Sequence, residues 1–127
     1  MTRVHRCLAG VLAIAAGACA RGGLDAAIAA EARAAGATWL PDSNAFPAAA
    51  REARDSVVAD LKRGNEVPAE FYAQLESLGD SVDVFHLWHR SALAPSARGV
   101  DGNPGGRSRD VLFDRRQHRI TRHLMWQ

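Results

Sequence analysis

Hydrophobic and polar positions along the chain change period twice. From Leu24 to Ala35 strong helix formers predict a first helix, with Leu24, Ile28 and the alanines as a thin apolar stripe and Gly36 where a helix stop belongs. After a loop over Thr38 to Phe46, Pro47 opens a second helix. In it Phe46, Ala50, Ala53, Val57 and Leu61 fall on one face, Arg51, Arg54, Asp55 and Lys62 lie away from it, and Gly64-Asn65 closes the element. Pro68 at a first-turn position, followed by Phe71, Leu75 and Leu78 at i, i+4 and i+7 before Gly79-Asp80, predicts a third short helix.

Past Ser81 the residue types change. Val82, Val84, Phe85, Leu87 and Trp88 favour a strand buried on both faces, which places a central strand over 82–91. Glycines and prolines make Ala94 to Ser108 a long irregular connection. Two strand-like runs, Arg109 to Asp114 and Arg119 to Trp126, then flank Arg115-Arg116-Gln117-His118 as a hairpin, with His118 in a turn slot that favours positive φ. If Phe113 faces Ile120, alternation puts Val111, Phe113, Ile120, Leu124 and Trp126 on one face and Leu112, Thr121, His123 and Met125 on the other. The expected fold class is α+β: N-terminal helices packed on one face of a small three-stranded antiparallel sheet that ends in a C-terminal β-hairpin.

Composition narrows the class. A chain of 127 residues, 47% hydrophobic and 24% charged, has room for one globular domain, and a net charge of +2 is too small for a nucleic-acid binder. The only long apolar run, at the N-terminus, is about 12 residues, too short to span a bilayer as a mature helix. These features exclude a multidomain enzyme, a polytopic membrane protein and a disulfide scaffold.

Residues 1 to 20 read as an export signal. Arg3, His5 and Arg6 form a positive region, Leu8 to Ala15 an apolar one, and Ala16-Gly17-Ala18-Cys19 a small-residue exit. That exit resembles the lipobox of bacterial lipoproteins, although the family usually carries Leu where Ala16 stands. The resemblance implies a signal peptide over 1–18, a lipid-attachment cysteine and short linker over 19–23, and one domain over 24–127. Cys7 lies in the part that would be removed, so the mature domain has no second cysteine for a disulfide. Ala20, rather than Asp, after Cys19 implies the periplasmic face of the outer membrane, with a lipid anchor in the membrane. The alternative is ordinary signal-peptidase cleavage after Ala20, giving a periplasmic or secreted protein.

Candidate chemistry is sparse. His86 and His89 would share a face on a helix but point to opposite faces of a strand, so metal chelation by the pair is not expected. No cysteine and no HExxH-type spacing adds a ligand to His123, and no metal or cofactor is predicted. Asp101-Gly102-Asn103-Pro104-Gly105-Gly106 resembles fragments of calcium loops and phosphate cradles. It lacks the further acids of the one and the following helix of the other, so it reads as a turn-rich loop. No Gly-x-Ser-x-Gly elbow occurs. The ending, an apolar run, Asp, a short turn and a second strand, resembles the terminal hairpin of small exported cystatin-like or NTF2-like domains, a likeness that carries no catalytic residue.

Charge is segregated: residues 22–89 hold 11 acids against 5 bases, and residues 90–127 hold 8 arginines against 3 aspartates. Arg107, Arg109, Arg115, Arg116 and Arg119 flank the hairpin, and those in its turn should be exposed. They predict a docking face for an acidic protein or anionic envelope polymer. The competing reading is a pair of surfaces that attract one another within the fold. The expected function is a small binding or inhibitory module. The alternatives are a small periplasmic hydrolase with His86, His89 or His123 as base, and a structural envelope component without a specific ligand.

Overall fold

A computed structural model describes residues 13–127, with side chains from Gly22 onward. The signal segment over 1–18 and the cysteine at 19 lie, in whole or in their side chains, outside the described residues. Five strands form one antiparallel sheet in which each pairs with the next along the chain: β1 (Thr38–Trp39), β2 (Phe71–Leu78), β3 (Val82–His89), β4 (Arg109–Asp114) and β5 (Arg119–Met125). Helices α1 (Ala13–Ala34), α2 (Arg51–Arg63) and the single turn α3 (Arg90–Leu93) complete the architecture. No helix among the described residues is long and apolar enough to cross a membrane.

The expected three-stranded sheet is therefore corrected to five strands, within the α+β class. The largest change is at Phe71–Leu78, a strand rather than a helix. Pro68 opens only a 3-10 turn, Pro68–Glu70, after which Phe71 and Ala73 are buried while Tyr72 and Gln74 turn the other way. Positions i and i+4 share a face in a helix and in a strand alike, so Phe71 and Leu75 fit both periods. Ala73 decides for the strand, because it packs with Phe71 in the core.

Helix α2 follows its sequence pattern. Ala53, Val57 and Leu61 are buried, and with Leu40 and Phe46 they cover one face of the sheet, formed by Phe71, Ala73, Phe85, Leu87, Val111 and Phe113. Each of the large side chains enclosed there contributes on the order of 1.5–3 kcal/mol relative to exposure. The Gly64 amide donates to the Asp60 and Leu61 carbonyls, and Asn65 at φ 59° turns the chain away.

Helices occupy both faces of the sheet, not one. On the outer face Ile28 and Ala32 of α1, with Ala37 and Leu93, pack against Tyr72 and Trp88. The aromatic residues at alternate positions of β2 and β3 are too large to leave uncovered, and α1 supplies their cover. Gly36, at φ 72°, ends α1: its amide donates to Arg33 O, and that of Ala37 to Ala32 O. Trp39 faces Tyr72, Tyr72 faces Trp88, and Trp88 meets Trp126 edge-on with ring centroids 4.8 Å apart. The chain's three tryptophans and its one tyrosine thus stand in a single row across the outer face.

The hairpin pairs Phe113 with Ile120 as expected, and His118 takes φ 54°. Beyond that pair the register shifts: Leu112 faces Arg122 and Val111 faces His123, with Thr121 left over as a bulge. The bulge reverses the faces expected for His123, Leu124, Met125 and Trp126. His123 points to the α2 side with Val111 and Phe113, and Leu124 to the outer side opposite Asp110.

Candidate functional site

The basic C-terminal third is largely neutralised by the acidic part of the chain. Arg109 grips Glu66 with both terminal nitrogens, one at 2.7 Å, and its guanidinium lies 5.5 Å from the centre of the Phe71 ring. Arg115 folds back from the turn onto buried Asp83 at 2.9 Å rather than standing exposed. Arg90 donates to Asp25 at 2.7 Å, while Arg107 and Arg98 lie 3.8 and 4.0 Å from Glu70 and Glu31. Arg109 and Arg115 thus belong to the fold.

Within residues 90–127 three exposed arginines have no carboxylate partner among the described residues: Arg116, Arg119 and Arg122. Arg116 sits in the turn, which the Asp114 carboxylate organises by accepting from the Arg116 and Gln117 amides at 2.8 and 2.9 Å. Arg119 opens β5, held by a bond from its Nε to Gln117 Oε1. Arg122 follows the bulge. Sequence reasoning singled out the first two but passed over Arg122 and also Arg63, whose nearness to the hairpin depends on how α2 crosses the sheet.

Arg63 and Arg119 line a groove of about 320 Å³ between α2 and β5, together with Ser56, Asp60, His118 and His123. Its acids are already engaged. Asp60 receives His123 Nε2 at 2.8 Å and Arg63 at 3.3 Å, and Glu52 beside it receives His118 Nδ1 at 2.8 Å. Beta-five is also an open edge. At the other edge of the sheet β1 has two residues, whereas β5 presents seven, mostly exposed. An edge of that length leaves main-chain N–H and C=O groups available for pairing.

The three histidines do not converge. His86, on the outer face, donates from Nδ1 to Asp110 Oδ1 at 2.7 Å, an oxygen that also accepts from Trp126 Nε1 at 2.7 Å. His123 lies in the α2 groove. His89 is buried against Phe71, and its Nδ1 accepts from the Ser91 amide, which leaves Nε2 to donate to Glu70 Oε2 at 2.8 Å. Ser91 Oγ stands 2.7 Å from Nδ1, an acid, imidazole and hydroxyl in sequence. That hydroxyl also donates to Pro104 O at 3.1 Å and lies beneath Gly105, so it secures the 94–108 connection.

Among the described residues no three His, Cys, Asp or Glu side chains gather as a metal site needs. Asp101 is exposed, and Asn103 is turned inward to donate to Ser108 O and Trp126 O. The glycine-rich loop is therefore tied to the end of β5 through Asn103. No known protein family, curated protein or solved structure matches the chain.

Proposed function

We propose that the protein is an exported, lipid-anchored module, on the periplasmic face of the outer membrane, that binds an acidic, extended protein segment along β5. The carrying observation is the placement of Arg119 and Arg122 on the long open edge strand and of Arg116 in the turn that leads into it, all three without carboxylate partners among the described residues. Edge pairing supplies affinity through main-chain hydrogen bonds, and arginines beside it select for carboxylates. The same charges oppose a second copy of this chain on the edge, since like charges along paired strands repel. The export and anchoring half of the proposal rests on the N-terminal pattern through Cys19.

The test uses the full-length protein in detergent and a labelled peptide of alternating Glu and Val. Binding should weaken steeply as salt rises, because charge pairs are screened beyond roughly 8 Å at physiological ionic strength. It should fall by about tenfold or more in the triple variant Arg116→Glu, Arg119→Glu, Arg122→Glu. Binding that ignores both salt and charge reversal overturns the proposal. Binding to anionic cell-wall fragments in place of the peptide would move the partner from protein to envelope polymer.

A further inference from the structure

At the opposite edge of the sheet, α1 and the outer face enclose a cleft of about 330 Å³ lined by Asp25, Ile28, Trp39, Ala69, Tyr72 and Arg90. Its walls are aromatic and set in advance. Trp39 and Tyr72 are direct partners across β1 and β2, so the two side chains share one face, and both line the cleft. The Trp39 indole is held by its Nε1–H, which donates to Ala69 O at 3.0 Å, yet the residue keeps 46% of its surface exposed. Buried Ile28 contributes the apolar floor. Tyr72 makes no side-chain hydrogen bond among the described residues, which leaves its hydroxyl available to a ligand.

The polar rim is one ion pair, Arg90 to Asp25 at 2.7 Å, with both side chains partly open to water. Its two charges cancel, so the cleft selects neither an anion nor a cation. It offers carboxylate acceptors and guanidinium donors side by side next to a flat apolar wall. A small ligand matching this arrangement is neutral, has one apolar face to lay on an indole and carries hydroxyls that both donate and accept. A sugar ring has these properties. The volume lies at the lower end of the roughly 300–1,000 Å³ typical of ligand pockets, which suits one saccharide unit rather than a polymer groove.

We infer that the Trp39–Tyr72 cleft is a binding site for a neutral pyranose, stacked on Trp39 and hydrogen-bonded through its hydroxyls to the Asp25–Arg90 pair. This site is separate from the β5 edge, so each can fail without the other. Affinity for so small a ligand should be roughly millimolar.

The test is saturation-transfer NMR on the full-length protein in a polyoxyethylene detergent, which carries no sugar headgroup. The probes are methyl glucoside, methyl galactoside and N-acetylglucosamine, with tetramethylammonium and acetate as charged controls. At least one sugar should bind, with its ring C–H protons closest to the protein. Affinity should drop by about tenfold or more in Trp39→Ala, and less in Trp39→Phe. It should drop several-fold in Asp25→Asn, a change at an exposed carboxylate that leaves packing intact, and stay unchanged in Arg116→Glu. The inference is overturned if no sugar binds, if either charged control binds in preference, or if the sugar signal survives both Trp39→Ala and Asp25→Asn. Should Trp39→Ala fail to fold by circular dichroism, Trp39→Phe and Asp25→Asn decide alone.

Discussion

Gly105 rests on Ser91: it holds φ at 81°, and a β-carbon at that position would collide with Ser91 Oγ. Gly106 beside it also has positive φ, 67°, but opens onto free space. Gly106→Ala should therefore cost only the backbone penalty of about 1 kcal/mol, while Gly105→Ala should cost clearly more because the clash adds to it. Thermal unfolding of the two variants side by side checks the order. Equal losses would mean that the loop does not rest on Ser91.

Buried Asp83 and its half-buried partner Arg115 make a harsher prediction. Asp83 is 2% exposed and shares one oxygen, Oδ1, between Ser77 and Arg115, while its Oδ2 and Arg115 Nε have no partner. Arg115→Ala strands the carboxylate and should cost about 3–5 kcal/mol in urea unfolding. Arg116→Ala, at the next position but exposed, should stay within about 0.5 kcal/mol of the parent. Replacing both Asp83 and Arg115 with leucine should recover much of the first loss, since no buried charge is then left alone.

His118 adopts positive φ in the hairpin turn, and its side-chain hydrogen bond with Glu52 joins two well-exposed groups. Such a contact contributes little, and glycine takes this backbone conformation without strain. His118→Gly should be neutral or stabilising by up to about 1 kcal/mol in a thermal melt. A clear loss would show that the Glu52 contact outweighs the relief of strain.

Anchoring at Cys19 predicts that labelled palmitate enters the protein and is absent from Cys19→Ser. Equal labelling of both, or a mature N-terminus at Arg21, would count against the anchor.

Where the sequence was legible, a single strong pattern met a single neighbour. The apolar face of α2 and the Phe113–Ile120 pair depend on local spacing, and glycine or an αL residue punctuates both elements. Phe71–Leu78 reads as a helix because Phe71 and Leu75 share a face in either period and Leu78 at i+7 adds to the helical one, while the strand shows itself only in Ala73, too small to mark a face. Trp39 belongs to a two-residue strand created by its pairing with Tyr72, 33 positions away, which no local pattern announces. Thr121 slips out as a bulge for reasons of sheet geometry, and with it the faces of His123 and Leu124 exchange. The site suffered in the same way. Arg109 and Arg115 look like free surface charges until Glu66 and Asp83, distant in sequence, come to meet them.

The aromatic row gives the protein a one-sided optical reporter. Every tryptophan lies on the face that α1 covers, and none lies in the α2-packed core, so emission follows one layer of the molecule and is nearly blind to the other. If α1 lifts away before the sheet and α2 come apart, fluorescence will change at a lower temperature than far-ultraviolet ellipticity. Coincident curves would show that the two layers melt as one cooperative unit.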